Sequence, residues 1–312
     1  MKSDIIKLLK KHSIKTNKID KIKTFTGLVY RIEAEEQNYF LKIFDNNQQE
    51  KALKIKSLYQ LFNNKGINAP QIILFEQEDD RIYLLMTEIQ GKMLQDVLED
   101  KEYSLEKIYY DLGKKVAQIH SIEFEEFGEC IDGKTVQEVS FLKGKGPFKY
   151  WHDMHLELVK DRLKHFKNTD FEQYVGPIIQ WFEYNKIKNN PTPTLLHEDL
   201  NKKNIFVKNN KVSGIIDVDD SYVGHYEEEL MRIENGHFRE NKELREHFMR
   251  GYTSVKKLEE GYEKRRKYYY LSRLLVHIKC IILYKEDYKK DLEKEHKQIH
   301  EELREYLNDN AL

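Results

Sequence analysis

Cysteine is nearly absent. Cys130 and Cys280 are the only two in 312 residues, which excludes both a disulfide framework and a cysteine-rich zinc site. No apolar run approaches the ~20 residues needed to span a bilayer. The amino-terminal MKSDIIKLLKKHSIK lacks the apolar centre of a secretory signal. It reads instead as a short amphipathic helix with Ile5, Ile6, Leu8 and Leu9 on one side. A surplus of one charge is also missing. Lys plus Arg total 53 against 54 Asp plus Glu, a net charge of −1. No global field recommends nucleic acid or a membrane as a partner, so any electrostatic function must be local. There are no repeats and no low-complexity linker. The expectation is a soluble, cytoplasmic protein with a core anchored by 20 Tyr, 15 Phe and 2 Trp.

Two rhythms divide the chain. Residues 21–45 read as strands: KIKTFT, the lone Gly27, LVYRIEAE, a polar turn, then NYFLKIFD. Residues 47–65 have helical spacing and stop at Gly66. QIILFE and RIYLLMTEI then form a second hairpin around Gln77–Asp80. Beyond Gly91, amphipathic helical periods dominate, near 105–120, 150–166, 170–186, 241–250, 264–285 and 288–307. One β island lies at 205–216. The fold class expected is α+β and bilobal. A β-rich amino-terminal lobe with one main helix (1–90) is joined by a hinge to a larger, mainly α-helical lobe (91–312). Ligands bind preferentially between two such units.

The most informative segment is LLHEDLNKKNIFVKNNKVSGIIDVDD, residues 195–220. It holds His197-x-Asp199, then Asn204, then Asp217. IFV and VSGII flank the turn-prone Asn209-Asn210-Lys211. A turn centred between Asn210 and Lys211 would set Ile205 opposite Ile216 and Asn204 opposite Asp217, ~5 Å apart. An amide oxygen and a carboxylate would then meet at one end of the hairpin. Hard oxygen ligands with room for water suit Mg²⁺. Asp199 would sit close enough to touch a nucleophile beside that metal.

This pattern resembles the catalytic and metal-binding loops of the protein-kinase-like superfamily, and within it the aminoglycoside phosphotransferase and choline kinase family. Further matches extend the resemblance over roughly residues 20–235. Lys42 in FLKIF stands where the family keeps its phosphate-binding lysine, and Glu50 where its ion-pair partner belongs. MTEIQGKML (86–94) is similar to the adenine hinge and LGKKVAQIHSIEFEEFG (112–128) to a family helix. GIIDVDDSYVGHYEEEL (214–230) follows the family's acid-rich motif, with His225-Tyr226 for the usual Asp-Pro and Glu229 for the last Asp.

The resemblance implies phosphoryl transfer from ATP or GTP with Mg²⁺, where positioning and electrostatics do most of the catalysis. Asp199 would take the proton of the acceptor hydroxyl. Asn204 and Asp217 would hold the metal. Lys42, fixed by Glu50, would contact the phosphates, and the backbone from Thr26 and Gly27 to Val29 would cover them. Met86, Glu88 and Ile89 would meet the base, and His197 would brace the loop. Glu198 is expected at solvent or on a cationic substrate.

Residues 216–234 carry seven acids against Arg232 alone. With Glu227 and Glu234 among them, this suggests a small, hydroxylated and cationic acceptor such as an aminoglycoside. A metabolite kinase acting on choline, ethanolamine, a sugar derivative or a fructosamine is the alternative. Tyr150-Trp151, Trp181 and Tyr268-Tyr269-Tyr270 are candidates for a choline cage. The alternative of another class, a non-catalytic nucleotide-binding scaffold, would require loss of Lys42, Asp199, Asn204 or Asp217, and all four are present. His296 and His300, four apart in a charged run, are expected on a solvated face.

Overall fold

Alternation builds the first lobe. In strand β3 (Asn38–Asp45), Tyr39, Leu41 and Ile43 point one way, while Phe40, Lys42 and Phe44 point the other. The computed structural model describes residues 2–23, 27–239, 241–284 and 292–308, the side chains of 292–295 excepted. Its first sheet is antiparallel, in the order β1 (Thr16–Ile22), β2 (Leu28–Ala34), β3, β5 (Arg81–Thr87), β4 (Ile72–Glu78). Helix α1 (Lys2–Lys11) covers one face by burying Ile5, Leu8 and Leu9 against Ile32, Leu41 and Leu85. Helix α2 (Gln49–Asn64) covers the other with Ile55, Leu58 and Phe62, against Ile82, Leu84 and Met86. Covered on both sides, β5 reads as an unbroken apolar run. Lys42 is on the α2 side.

The chain leaves this lobe at Gly91. There φ is +128°, and a Cβ would lie 2.4 Å from the Val207 carbonyl oxygen, so only glycine fits. Strand β6 (Lys92–Met93) then pairs with β10 (Ile205–Lys208), tying the crossing segment to the hairpin that follows Asn204.

The second lobe is mainly helical, with α3 (Leu105–Ile119), α4 (Trp151–Leu163), α5 (Val175–Tyr184), α6 (Tyr226–His237), α7 (Lys242–Thr253), α8 (Tyr262–Leu283) and α9 (Leu292–Asn308). Small strand pairs join β7 (Glu129–Cys130) to β8 (Val136–Gln137), β9 (Thr194–Leu196) to β12 (Tyr222–Gly224), and β10 to β11 (Lys211–Ile215). Helix α8 is the central post, burying Tyr268, Tyr269, Leu271, Leu275 and Ile278. No described helix is long and apolar enough to cross a membrane.

The register of the hairpin between Asn204 and Asp217 corrects the sequence reading. Asn209 and Asn210 both take positive φ, 54° and 59°, so the turn has two residues and pairs Lys208 with Lys211. A bulge follows, and Ile205 then faces Ile215 rather than Ile216. The Ile216 N–H still donates to the Asn204 carbonyl at 3.0 Å, which keeps Asp217 beside Asn204.

Candidate active site

Two turns carry the polar residues, and both are held in a conformation that non-glycine residues seldom adopt. Glu198 has φ +61° and Asp217 φ +67°. Each is fixed through its own N–H: Glu198 donates to the Glu229 carboxylate at 2.5 Å, and Asp217 to the Tyr59 hydroxyl at 2.9 Å. His197 joins the two turns. Its Nδ1 accepts from the Asp199 N–H at 3.1 Å, so Nε2 carries the proton and donates to the Ile216 carbonyl at 3.0 Å. Burial pushes its pKa down and favours this neutral form.

Asp199 is surrounded by donors. Asn204 Nδ2 lies 2.6 Å and Asn201 Nδ2 3.1 Å from Oδ2. Arg232, from α6, places Nη2 2.9 Å from Oδ1. With its amide nitrogen on Asp199, Asn204 keeps its oxygen for another partner. The half-exposed Asp217 carboxylate stands in the next turn. Burial raises the Asp217 pKa, and Lys42 opposes that. These two oxygen donors fit a hard divalent cation that retains water and phosphate ligands.

The partner of Lys42 is not Glu50. Glu50 is exposed, and Lys42 Nζ lies 3.1 Å from Asp219 and 3.5 Å from Asp217. The reason is helical phase: α2 turns Lys51, Lys54, Leu58 and Tyr59 inward, and Glu50 falls outside that face. The helix thus presents cations where the resemblance implied an acid. Lys51 pairs with Asp219 at 3.0 Å. Lys54 is buried, donating to the Asp219 carbonyl at 2.8 Å and to Glu129 at 2.7 Å. Asp219 is therefore the hub. Against the penalty of burial, Lys42 and Lys51 hold its pKa low. Burial alone would lower the Lys42 pKa, but Tyr59, Asp219 and Asp217 raise it.

The remaining expected residues divide. Gly27 has φ +90° ahead of β2, whereas Thr26 lies outside the described residues. Met86 is buried beneath α2. Glu88 spends its carboxylate on Arg31 and Asn38, and its N–H on the Asn38 carbonyl. Ile89 packs over Gly214 of β11.

Glu198 is buried rather than solvated. Burial pushes its pKa up to about 7, against the pull of Arg232 and Arg273.

The acids of α6 are internal as well. Glu227 accepts two hydrogen bonds from Arg265, at 2.6 and 2.9 Å. Glu228 accepts from Arg162 at 2.9 Å and from Tyr222 at 2.7 Å. Glu229 accepts from His120 at 2.8 Å and from the N–H groups of His197 and Glu198. Glu234 pairs with Arg245, Arg266 and Tyr262.

The aromatic residues considered for a cage are mostly core. Trp151, Trp181, Tyr268 and Tyr269 are buried, and Trp151 Nε1 donates to Tyr269 at 2.9 Å. His300 is not solvated either. It stacks on Phe171 and meets Asp170 at 3.0 Å, with His296 3.4 Å from the same carboxylate.

Sequence reasoning missed Asp219 as the lysine anchor, Lys51 and Lys54, Arg232 on the Asp199 carboxylate, and Arg273. Arg232 had a visible signal, as the lone cation in an acidic stretch.

Residues 23–268 match the model of the phosphotransferase enzyme family. The chain is 28% identical over 255 residues to a probable ketoamine kinase of Vibrio parahaemolyticus, covering 80% of this chain and 81% of that one. It is 26% identical over 197 residues to an aminoglycoside 3'-phosphotransferase of Enterococcus faecalis, covering 61% and 68%. Among solved structures, ADP-bound aminoglycoside phosphotransferase APH(2'')-Ib superposes with a TM-score of 0.65 at 20% identity, covering both chains fully. At that identity the likeness speaks for the fold.

Proposed function

The chain belongs to the phosphotransferase enzyme family, and on that premise we propose that this small-molecule phosphotransferase moves the γ-phosphate of ATP or GTP onto a hydroxyl of a sugar-derived acceptor of the ketoamine kind. One observation carries the reading. Asn204 bonds Asp199 at 2.6 Å, Lys42 pairs with Asp217 at 3.5 Å, and the Ile216 N–H on the Asn204 carbonyl sets the two pairs side by side. Asp199 would orient the acceptor hydroxyl and take its proton through Oδ1, the oxygen that Arg232 now holds. Asn201 and Asn204 fix the other oxygen, so the carboxylate cannot rotate away. Lys42 would turn from the carboxylates to the nucleotide phosphates. Asn204 and Asp217 would hold Mg²⁺, which when bound neutralises phosphate charge. The base would lie along Met86–Ile89.

Support for the acceptor class is of two kinds. The ketoamine kinase relative matches more of the chain than the aminoglycoside one does. The acids that suggested a polycationic aminoglycoside, Glu227 and Glu234 included, are consumed by internal arginines. A choline cage loses Trp151, Trp181, Tyr268 and Tyr269 to the core.

The test is nucleoside-diphosphate release with Mg·ATP and Mg·GTP against ketoamines, aminoglycosides, choline and free sugars. Acceptor-dependent turnover with ketoamines, falling at least a thousandfold in Asp199→Asn, is the expected result. Nucleotide binding with no turnover for any acceptor would replace this reading with a non-catalytic scaffold.

A further inference from the structure

We infer that the acceptor carries an oxyanion, a carboxylate or a phosphate-type group, which seats on Arg273 and Arg232 while its hydroxyl meets Asp199. The inference rests on the phosphotransfer reading of the site and adds the charge of the molecule that enters it.

The buried Arg162 and the partly buried Arg245, Arg265 and Arg266 set the pattern for guanidinium groups in this lobe. Arg162, Arg245, Arg265 and Arg266 each have a carboxylate within 3.0 Å. Buried cations need such partners, because desolvation is costly without them. Arg273, from α8, is the exception. Its side chain is only 13% exposed, and its one ion pair among the described residues is to Glu198 at 3.7 Å, beyond hydrogen-bond reach. That carboxylate is already engaged by Arg232 at 3.2 Å, and its Oε1 is buried with no partner. Arg273 is therefore left with a distant share of an acid that Arg232 already uses. The shortage agrees with a lowered Arg273 pKa, caused by burial and then by the charge of Arg232.

Arg273 is also in the right place. It lines a cavity of about 470 Å³ together with Glu198, Asp219 and Arg232, a size suited to a small ligand. Arg232 links the cavity to the chemistry, since its Nη2 holds the Asp199 oxygen. The other charges on the cavity wall are largely spoken for. Lys54 has Glu129, Arg162 has Glu228, and Asp219 has Lys42 and Lys51. Asp220 is exposed, away from the buried arginines. What remains open is a planar fork of donors, the geometry that carboxylates and phosphates accept bidentately. An oxyanion between Arg273 and Arg232 would also compete with Asp199 for Arg232, freeing Oδ1 for the acceptor hydroxyl.

Three ketoamines of glucose test this: those made with glycine, with aminomethylphosphonate and with methylamine. They differ in the group beyond the amine, carboxylate, phosphonate or none. The whole chain is assayed with Mg·ATP, following ADP release. The expected result is kcat/KM at least tenfold higher for the glycine or the phosphonate adduct than for the methylamine adduct. Which of the two leads says whether carboxylate or phosphate is preferred. Arg273→Met should cut that preference to threefold or less by raising KM for the anionic adducts, and Arg273→Lys should recover part of it. Equal kcat/KM for all three adducts, or a preference for the methylamine adduct, would overturn the inference while leaving the kinase reading intact. The wild-type comparison decides this even if Arg273→Met fails to fold. If no adduct turns over, the ketoamine part of the functional reading falls instead. Calorimetry of the same adducts then decides the inference: at least tenfold tighter binding of an anionic adduct upholds it, and equal binding overturns it.

Discussion

Replacing Glu198 by Gln should flatten the dependence of stability on pH. In the folded protein Glu198 titrates near 7, against an ordinary value of 4.5, because burial outweighs the nearby arginines. Below 4.5 the group is protonated in both folded and unfolded chains and contributes no pH dependence. Between 4.5 and 7 the folded protein keeps a proton that the unfolded chain has released. Raising the pH in that window therefore favours unfolding, by about 1.4 kcal/mol per pH unit. Above 7 both states are ionised and the slope vanishes. From pH 5.5 to 8.5 the wild type should lose about 2 kcal/mol through this one group. Glu198→Gln has no such loss. Urea unfolding at pH 5.5, 7.0 and 8.5 gives the difference in stability between variant and wild type, in which the other titrating groups largely cancel. That difference should shift in the variant's favour by about 2 kcal/mol across the range. A difference that stays constant within about 0.5 kcal/mol would refute the reasoning. It would mean that Arg232 and Arg273 keep Glu198 ionised throughout.

Two other outcomes follow from the hub and the loop clamp. Asp219→Asn should lower kcat/KM for Mg·ATP by about ten- to a hundredfold, since Lys42 and Lys51 lose a shared carboxylate, whereas Glu50→Gln should stay within about twofold; equal damage from both in steady-state kinetics would restore Glu50 as the lysine's partner. Glu229→Gln should destabilise the fold by about 3 kcal/mol in urea unfolding, because an amide cannot accept from the N–H groups of His197 and Glu198 and from His120 as a carboxylate does; a change under about 0.5 kcal/mol would show that the catalytic turn is held by other contacts.

The order of elements was legible because period two and period 3.6 separate cleanly in this chain. Strands 28–34, 38–45, 72–78 and 81–87 and most of the helices are where their patterns put them. Short, fully buried pieces were not legible: β9 and β12 are three residues each and carry no period. Helix α6 was hidden by its charge, since six of its twelve residues are acids, His or Arg. In the site, Asp199, Asn204 and Asp217 could be read because they are close in sequence and joined by one hairpin. Lys42's partner could not. Glu50 was chosen as the only acid available on that helix, whereas the actual anchor, Asp219, is 177 residues away. The hairpin register shows the finer limit. Both possible turns contain Asn209 and Asn210, and only the backbone decides that both are left-handed.

Helix α6 shows why an acidic run is a poor guide to a substrate's charge. Four of its glutamates are buried, and ionised acids are tolerated there only with partners. The partners come from five directions: His120 at the end of α3, Arg162 from α4, Arg245 from α7, Arg265 and Arg266 from α8, and the two N–H groups of the catalytic turn. Each pair is worth little in net stability once desolvation is charged against it. What the pairs secure is geometry, because a helix bonded to four others and to the catalytic turn cannot shift without breaking several of them. The local charge of that stretch is thus cancelled inside the protein before it reaches the cleft. The field an acceptor meets is set by groups whose pairing is incomplete. Among the described residues these are the half-exposed Asp217, Arg232 shared between two acids, and Arg273, whose one ion-pair partner is out of hydrogen-bond reach. Counting charges along the chain pointed to a cation, whereas counting unmet charges in the fold points to an anion.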